Sequence, residues 1–141
     1  MILLDTSGLL AAIDGSQKQH AEAVAALREA SGPFLLSPFV LAELDYLLAT
    51  RVSRRAQQAL LGEVARGAYR LEPFSAEDVA SAAWVLKRYG DLEIGLADAS
   101  IVVLAERHGV LDVLSLDHRH FHALRGPGGK RFRLQPGSSA N

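Results

Sequence analysis

Apolar residues are distributed along the chain in two alternating patterns. Short runs predict buried strands at residues 2–4, 34–36 and 112–117, and edge strands at 69–74, where Pro73 interrupts the run, and at 131–134. Longer segments with apolar residues every three or four positions predict helices at 8–13, 16–30, 39–50, 53–65, 75–89 and 96–108. This alternation predicts an α/β fold, with a parallel, doubly wound sheet of four to five strands flanked by helices and connected by right-handed crossovers.

The length and composition indicate one globular unit. The chain has 141 residues, of which 49% are hydrophobic and 22% charged, so we expect a single domain over residues 1–135 and a flexible tail at 136–141. The absence of cysteine excludes disulfides and cysteine-ligated zinc. No apolar run reaches the length of a membrane span, and the first residues lack the pattern of a leader peptide. We therefore expect a cytoplasmic protein with no membrane partner.

Positive charge is concentrated near the carboxyl end, although the net charge is only −1. The chain has no acidic residue after Asp117. The basic residues that follow are Arg119, Arg125, Lys130, Arg131 and Arg133, with His118, His120 and His122 among them. This stretch is consistent with nucleic-acid binding through local charge, and equally with a solvated basic surface.

Several acidic residues interrupt apolar sequence at positions where an open α/β sheet places its sites. Asp5 directly follows the first predicted strand, and Asp117 ends the fourth. Asp98 lies in the first turn of a predicted helix, on the face expected to be buried, although the helix dipole also favours an acid there for purely structural reasons. The apolar helix at 39–50 carries both Glu43 and Asp45, and helical spacing does not choose between them.

A cluster of such acids requires a cation. Carboxylates brought together in an apolar setting repel one another, and the apolar runs contain no lysine or arginine to neutralise them. Mg²⁺ or Mn²⁺ suits carboxylate and water ligands, whereas zinc normally also takes histidine or cysteine. The acids therefore predict a Mg²⁺ or Mn²⁺ site.

Four separated motifs span most of the chain. They are Asp-Thr-Ser at 5–7, Val-Leu-Ala-Glu at 40–43, Leu-Ala-Asp-Ala at 96–99, and Leu-Ser-Leu-Asp at 114–117, with Phe121 beyond the last. In their order and spacing they resemble the PIN-domain ribonucleases, and within these the VapC toxins of bacterial toxin–antitoxin pairs. The resemblance selects Glu43 rather than Asp45 as the site acid. Ser115 stands where many relatives have threonine, which retains a hydroxyl.

The resemblance implies a metal-dependent endoribonuclease toxin. Its expected substrate is a structured RNA, either a tRNA or the sarcin–ricin loop of 23S rRNA, and its cleavage inhibits translation. The expected catalytic and metal-binding residues are Asp5, Glu43, Asp98 and Asp117. The hydroxyls of Thr6 and Ser115 would hold these carboxylates in place.

The resemblance also implies a homodimer and a VapB-type antitoxin that covers the acidic groove. With an RNA substrate, Arg119 and Arg125 are candidate phosphate contacts. The main alternative is a non-catalytic RNA- or partner-binding module with a structural metal site, which would show metal-dependent stability without turnover. Aspartyl-nucleophile phosphatases also place an acid after the first strand, but they usually carry a second Asp two residues later, where this chain has Ser7.

Overall fold

Five parallel strands form one sheet, in the order β3-β2-β1-β4-β5, in the computed structural model of the protein, which describes residues 1–137. The strands are β1 (Ile2–Leu4), β2 (Phe34–Leu36), β3 (Arg70–Leu71), β4 (Asp112–Leu114) and β5 (Arg133–Gln135). The helices are α1 (Thr6–Ile13), α2 (His20–Glu29), α3 (Pro38–Leu47), α4 (Arg54–Ala65), α5 (Ala76–Arg88), α6 (Leu96–His108) and α7 (His118–Ala123). The predicted doubly wound parallel sheet is confirmed.

The centre of the sheet is formed by the most apolar runs in the chain. β1 is fully buried and lies between β2 and β4, with Leu3 in register with Leu35 on one side and Val113 on the other. Strands covered by helices on both faces have no polar side, which explains why these segments show no alternation. The two-residue strand β3 is exposed and lies at one edge, as the nearby Pro73 predicts.

Two predicted helix boundaries are wrong, each for a local reason. α2 begins at His20 rather than at Ser16, because the Asp14 carboxylate accepts hydrogen bonds from the Ser16 amide at 3.0 Å and the Ser16 hydroxyl at 2.8 Å. This arrangement holds the chain in a turn instead of starting a helix. The helix predicted over 39–50 is α-helical only to Leu47 and continues as a wider π-helical segment, Leu48–Val52.

The remaining helices begin and end near the predicted positions. The Ser75 hydroxyl caps α5 together with Asp78, and the Ser53 hydroxyl accepts a hydrogen bond from the Ala56 amide at the start of α4. Within residues 1–137, no helix is long and apolar enough to cross a bilayer. Residues 138–141, most of the predicted tail, lie outside the described residues, so the division at residue 135 stays a prediction.

The carboxyl ends of β1 and β4 are joined directly. The Asp5 amide donates a hydrogen bond to the Leu114 carbonyl at 3.0 Å, which brings the residues following both strands together. At the same edge of the sheet, Ser37 at the start of α3 and Ser100 on α6 share a buried hydrogen bond of 2.6 Å. The starts of α1 and α3 therefore lie at this edge of the sheet, and α6 is joined to α3 there.

Candidate metal centre

Asp5 is the most deeply buried acid of this region, with 4% of its surface exposed. Its Oδ2 atom accepts hydrogen bonds from the Ser115 hydroxyl at 2.7 Å and the Ser7 hydroxyl at 2.8 Å. Burial raises the pKa of the Asp5 carboxyl, the two hydroxyls oppose that rise, and the charge of Asp117 adds to it. The two serines thus fix the orientation of the Asp5 carboxyl, and no lysine or arginine within residues 1–137 pairs with it.

The two serines that hold Asp5 also join the segments around it. The Ser115 hydroxyl accepts a hydrogen bond from the Asp117 amide at 2.9 Å. The Ser7 hydroxyl accepts from the Leu116 amide at 3.0 Å. Both serines therefore fix the same carboxylate, that of Asp5, relative to the backbone of the loop after β4.

The hydroxyl of Thr6 does not hold a carboxylate. Its Oγ1 atom is buried and has no hydrogen-bond partner among residues 1–137. The role predicted for Thr6 is carried out by Ser7, which was not among the residues selected from the sequence. Both hydroxyls belong to the same Asp-Thr-Ser motif, and which of them turns toward Asp5 depends on how the first turn of α1 leaves the strand.

Asp98 and Asp117 complete a cluster of three aspartates. Asp98 lies in the first turn of α6, and burial, followed by the charges of Asp5 and Asp117, raises its pKa to about 6. Asp117 precedes α7 and is less buried, with 30% of its side chain exposed. The structure therefore brings together Asp5, Asp98 and Asp117, although the predicted strand over 112–117 ends at Leu114 and Asp117 instead begins α7.

A histidine lies beside two of these acids. The Nδ1 atom of His120 is 2.8 Å from Oδ2 of Asp117 and 3.9 Å from Oδ2 of Asp98. Asp98, Asp117 and His120 each offer one possible ligand atom, and these atoms all lie within 4.8 Å of one another. His120 was not predicted from the sequence to belong to the site. The only available signal was its spacing of three residues from Asp117, which puts both at the start of one short helix.

Glu43 is placed differently from the three aspartates. It is exposed on α3, beside the buried face formed by Val40 and Leu44, and no hydrogen bond or ion pair joins it to the aspartates within the described part of the chain. Asp45, the alternative acid, accepts a hydrogen bond from the Gln57 side chain at 2.8 Å and so belongs to the contact between α3 and α4. Of the two acids on α3, Glu43 is therefore the one whose carboxylate could contact a substrate or a water molecule.

The two arginines predicted to contact RNA also differ. Arg119 is exposed on α7, two residues from Asp117. Arg125 instead donates from Nη1 to the carbonyl oxygens of the last residues of α7, at 2.7 Å to His122 and 3.2 Å to both Ala123 and Leu124. Its guanidinium thus caps the end of the helix, a structural role that was not predicted from the sequence.

The donors in this cluster suit a divalent cation. Three carboxylates with no lysine or arginine paired to them among residues 1–137 leave an excess of negative charge, which adds to the effect of burial in raising the pKa values of Asp5 and Asp98. Carboxylate oxygens with an adjacent imidazole form a common ligand set for first-row divalent metals, and carboxylates alone suit Mg²⁺. The residues present therefore fit the metal that PIN domains use.

Comparisons with known proteins agree with this arrangement. The PIN domain family profile matches residues 2–126. Ribonuclease VapC26 of Mycobacterium tuberculosis (strain ATCC 25618 / H37Rv) is 44% identical over 135 residues, which cover 96% of this chain and all of that protein.

Solved structures show the same fold. Mycobacterium tuberculosis VapC20, described as a toxin that cleaves the sarcin–ricin loop, superposes with a TM-score of 0.79 at 24% identity, covering 84% of this chain and 92% of that one. VapBC2 from Rickettsia felis, bound to a promoter DNA fragment, matches with a TM-score of 0.65 at 20% identity, covering 95% of this chain and 98% of that one. The chain therefore belongs to the PIN-domain family and, within it, to the VapC ribonucleases.

Proposed function

We propose that the protein is a metal-dependent endoribonuclease toxin that hydrolyses a phosphodiester bond of a structured RNA. The observation that carries the proposal is the convergence of Asp5, Asp98 and Asp117 at the carboxyl edge of the sheet, with the pKa of Asp98 raised to about 6 by burial and by its neighbours. Such a centre is poorly compensated without a cation. We propose Mg²⁺ or Mn²⁺ as that cation.

The side chains of the centre have distinct proposed roles. A bound divalent ion would lower the pKa of a water molecule and polarise the phosphate oxygens. Asp98 and Asp117, which are partly exposed, would hold the ion together with Asp5. Ser7 and Ser115 hold Asp5 through hydrogen bonds, so that binding an ion would require little reorientation of its side chain. Glu43, whose side chain makes no hydrogen bond or ion pair within residues 1–137, would orient the attacking water.

The products follow from the nature of the nucleophile. If a water molecule attacks phosphorus, the fragments carry a 5′-phosphate and a 3′-hydroxyl. Attack by the ribose 2′-hydroxyl would instead leave a 2′,3′-cyclic phosphate, and finding that product would contradict the proposal.

The proposal is tested by incubating the full chain, freed of any antitoxin, with tRNA and with ribosomes in Mg²⁺, Mn²⁺ or EDTA and mapping the cut ends. We expect a discrete, metal-dependent cut in one of these RNAs. Glu43→Gln should slow cleavage by about 10²–10⁴-fold, the range for a group that orients or deprotonates the nucleophile, while Asp45→Asn, on the same helix, should cleave at close to the normal rate. A folded, metal-binding protein that cuts neither RNA would favour a non-catalytic binding module.

RNA binding is proposed to involve Arg119, which is exposed beside Asp117. Arg119→Gln should weaken RNA binding in EDTA and reduce the slope of log affinity against log salt by about 1. Arg28→Gln is the matched control. Arg28 is exposed in the last turn of α2, which leads to the amino end of β2, so it lies at the edge of the sheet opposite the aspartates. Equal effects of the two substitutions would indicate that Arg119 contributes only net charge.

We further propose that the toxin acts in the cytoplasm, where both RNA classes are found, and that a VapB-type antitoxin inhibits it by covering the acidic groove. The structural likeness to toxins solved with their antitoxins supports such a partner. A homodimer, typical of these toxins, is also proposed. Sedimentation of the isolated chain would test the dimer, and loss of RNA cleavage on adding the cognate antitoxin would test the inhibition.

A further inference from the structure

His120 is in direct contact with the aspartate cluster through a ring nitrogen. We propose that His120 is itself a ligand of the divalent ion, binding it through Nδ1 beside Asp98 and Asp117, and that this nitrogen makes the centre favour Mn²⁺ over Mg²⁺. The inference rests on the proposed function, because it concerns the same metal. It adds a ligand, and a reason for metal preference, that the carboxylates do not supply.

The distances agree with shared coordination. Two ligand atoms bound to one ion at about 2.1 Å each are about 3 Å apart when adjacent and about 4.2 Å apart when opposite. Nδ1 of His120 is 2.8 Å from Oδ2 of Asp117 and 3.9 Å from Oδ2 of Asp98. The first separation is slightly shorter than that of adjacent ligand atoms, and the second lies between the adjacent and opposite values, so an ion can reach all three atoms with only small side-chain movements.

The imidazole is also held in place before any ion binds. The His120 amide donates to Oδ1 of Asp117 at 3.1 Å, so backbone and ring both contact the same carboxylate. The next residue, Phe121, is fully buried and packs edge-to-face on Phe132 with ring centroids 5.7 Å apart, which anchors α7 to the core. When Nδ1 exchanges its hydrogen bond with Asp117 for an ion, the backbone contact and the packing of Phe121 remain, so the ring loses little further freedom on binding.

The neighbouring histidines do not share this position. His118 and His122 lie against each other with ring centroids 5.5 Å apart, and His122 is exposed. Neither belongs to the group of possible ligands formed by Asp98, Asp117 and His120 in the described part of the chain. His122 is therefore a matched control on the same short helix.

An imidazole ligand changes which metals bind well. Mg²⁺ strongly prefers oxygen ligands and gains little from a nitrogen, whereas affinity for a site containing nitrogen rises along the first-row series from Mn²⁺ through Co²⁺. Adding His120 to the carboxylates should therefore increase the affinity for Mn²⁺ relative to Mg²⁺. Losing it should remove this preference while leaving an oxygen site that still binds Mg²⁺.

The test uses Mn²⁺ alone with the full chain and measures hyperfine coupling to ¹⁴N by pulsed electron paramagnetic resonance. We expect ¹⁴N coupling in the unsubstituted protein and in His122→Asn, and its loss in His120→Asn. Asparagine can still donate a hydrogen bond to Asp117 from a position close to that of Nδ1, so this variant separates ligation from positioning. His120→Gln, which also removes the imidazole, should lose the ¹⁴N coupling in the same way. Circular dichroism checks that each variant is folded.

Calorimetric titrations supply an independent readout. His120→Asn should raise the dissociation constant for Mn²⁺ by about tenfold or more, at least the effect of losing a residue that only orients a ligand, and change that for Mg²⁺ much less. The proposal is overturned if bound Mn²⁺ shows no ¹⁴N coupling in the unsubstituted protein, or if both affinities fall equally in His120→Asn.

RNA cleavage measured on the same samples distinguishes the two proposals. Metal-dependent cleavage without ¹⁴N coupling would reject ligation by His120 and leave the nuclease intact. A ¹⁴N coupling in a protein that cuts no RNA would support ligation by His120 and overturn the proposed function.

Discussion

Replacing Asp98 with asparagine should stabilise the metal-free protein at neutral pH. Burial and the charges of Asp5 and Asp117 raise the pKa of Asp98 from 3.8 to about 6. This difference corresponds to about 3 kcal/mol of unfavourable free energy when the carboxyl is ionised. An asparagine side chain resembles the protonated acid in size and carries no charge, so Asp98→Asn should be more stable than the unsubstituted protein by up to about 3 kcal/mol at pH 7.5.

The sign of the effect gives it a characteristic pH dependence. Between pH 4 and 6 the folded chain retains a proton on Asp98 that the unfolded chain has released, so the stability of the unsubstituted protein falls as pH rises through this window. Below pH 4 the carboxyl is protonated in both states, and the advantage of Asp98→Asn should disappear.

Urea unfolding in EDTA, followed by far-ultraviolet circular dichroism from pH 4 to 7.5, measures the difference in stability between the two proteins and its dependence on pH. Asp91→Asn is the control, because Asp91 is exposed in the loop before α6 and its substitution should change stability by less than about 0.5 kcal/mol. An Asp98→Asn variant that is less stable at pH 7.5, or whose advantage does not depend on pH, would refute the account of the centre as an uncompensated charge cluster.

Adding a metal should remove most of the stability advantage of Asp98→Asn. Mn²⁺ at about 100 times its dissociation constant stabilises the folded state by about 2.7 kcal/mol, and this gain should be much smaller in Asp98→Asn, which lacks a proposed ligand. If Mn²⁺ stabilised both proteins to a similar extent, the ion would not be bound by Asp98.

Two further pairs of substitutions test the contacts around the centre, each by urea unfolding. Ser7→Ala should lower stability by about 1–3 kcal/mol because it leaves buried partners unsatisfied, whereas Thr6→Val should be nearly neutral, since the Thr6 hydroxyl has no partner within residues 1–137. Gly8→Ala should cost about 1–3 kcal/mol, because a Cβ there would overlap the Leu114 carbonyl and lie 2.9 Å from its Cγ. Gly62→Ala, within α4 and without such an overlap, should instead stabilise by about 0.5–1 kcal/mol.

Each pair has an outcome that contradicts its reasoning. Thr6→Val as damaging as Ser7→Ala would mean that the Thr6 hydroxyl does support the site. Gly8→Ala as stable as Gly62→Ala would mean that α1 can move away from β4 at little cost.

The sequence by itself determined most of the architecture. The parallel sheet, its exposed edge at β3 and most helix boundaries follow from local periodicity and capping residues, which depend on neighbours a few positions away. The start of α2 was mispredicted even though its cause is local, because Asp14 and Ser16 also match a turn. Asp5 directly follows a buried strand, which is why its place at the carboxyl edge of the sheet was predictable, whereas β4 ends at Leu114 and Asp117 lies three residues beyond it, at the start of α7.

The tertiary structure decided which side chains contact these acids. Ser7 rather than Thr6 faces Asp5, His120 lies beside Asp98 and Asp117, and the Arg125 guanidinium caps α7. β1 and β4 are adjacent in the sheet although more than 100 residues separate them in the chain, so contacts such as that between Ser115 and Asp5 leave no local periodic signal. Side-chain direction at a turn is set by how the segments pack, and this packing is a property of the whole fold.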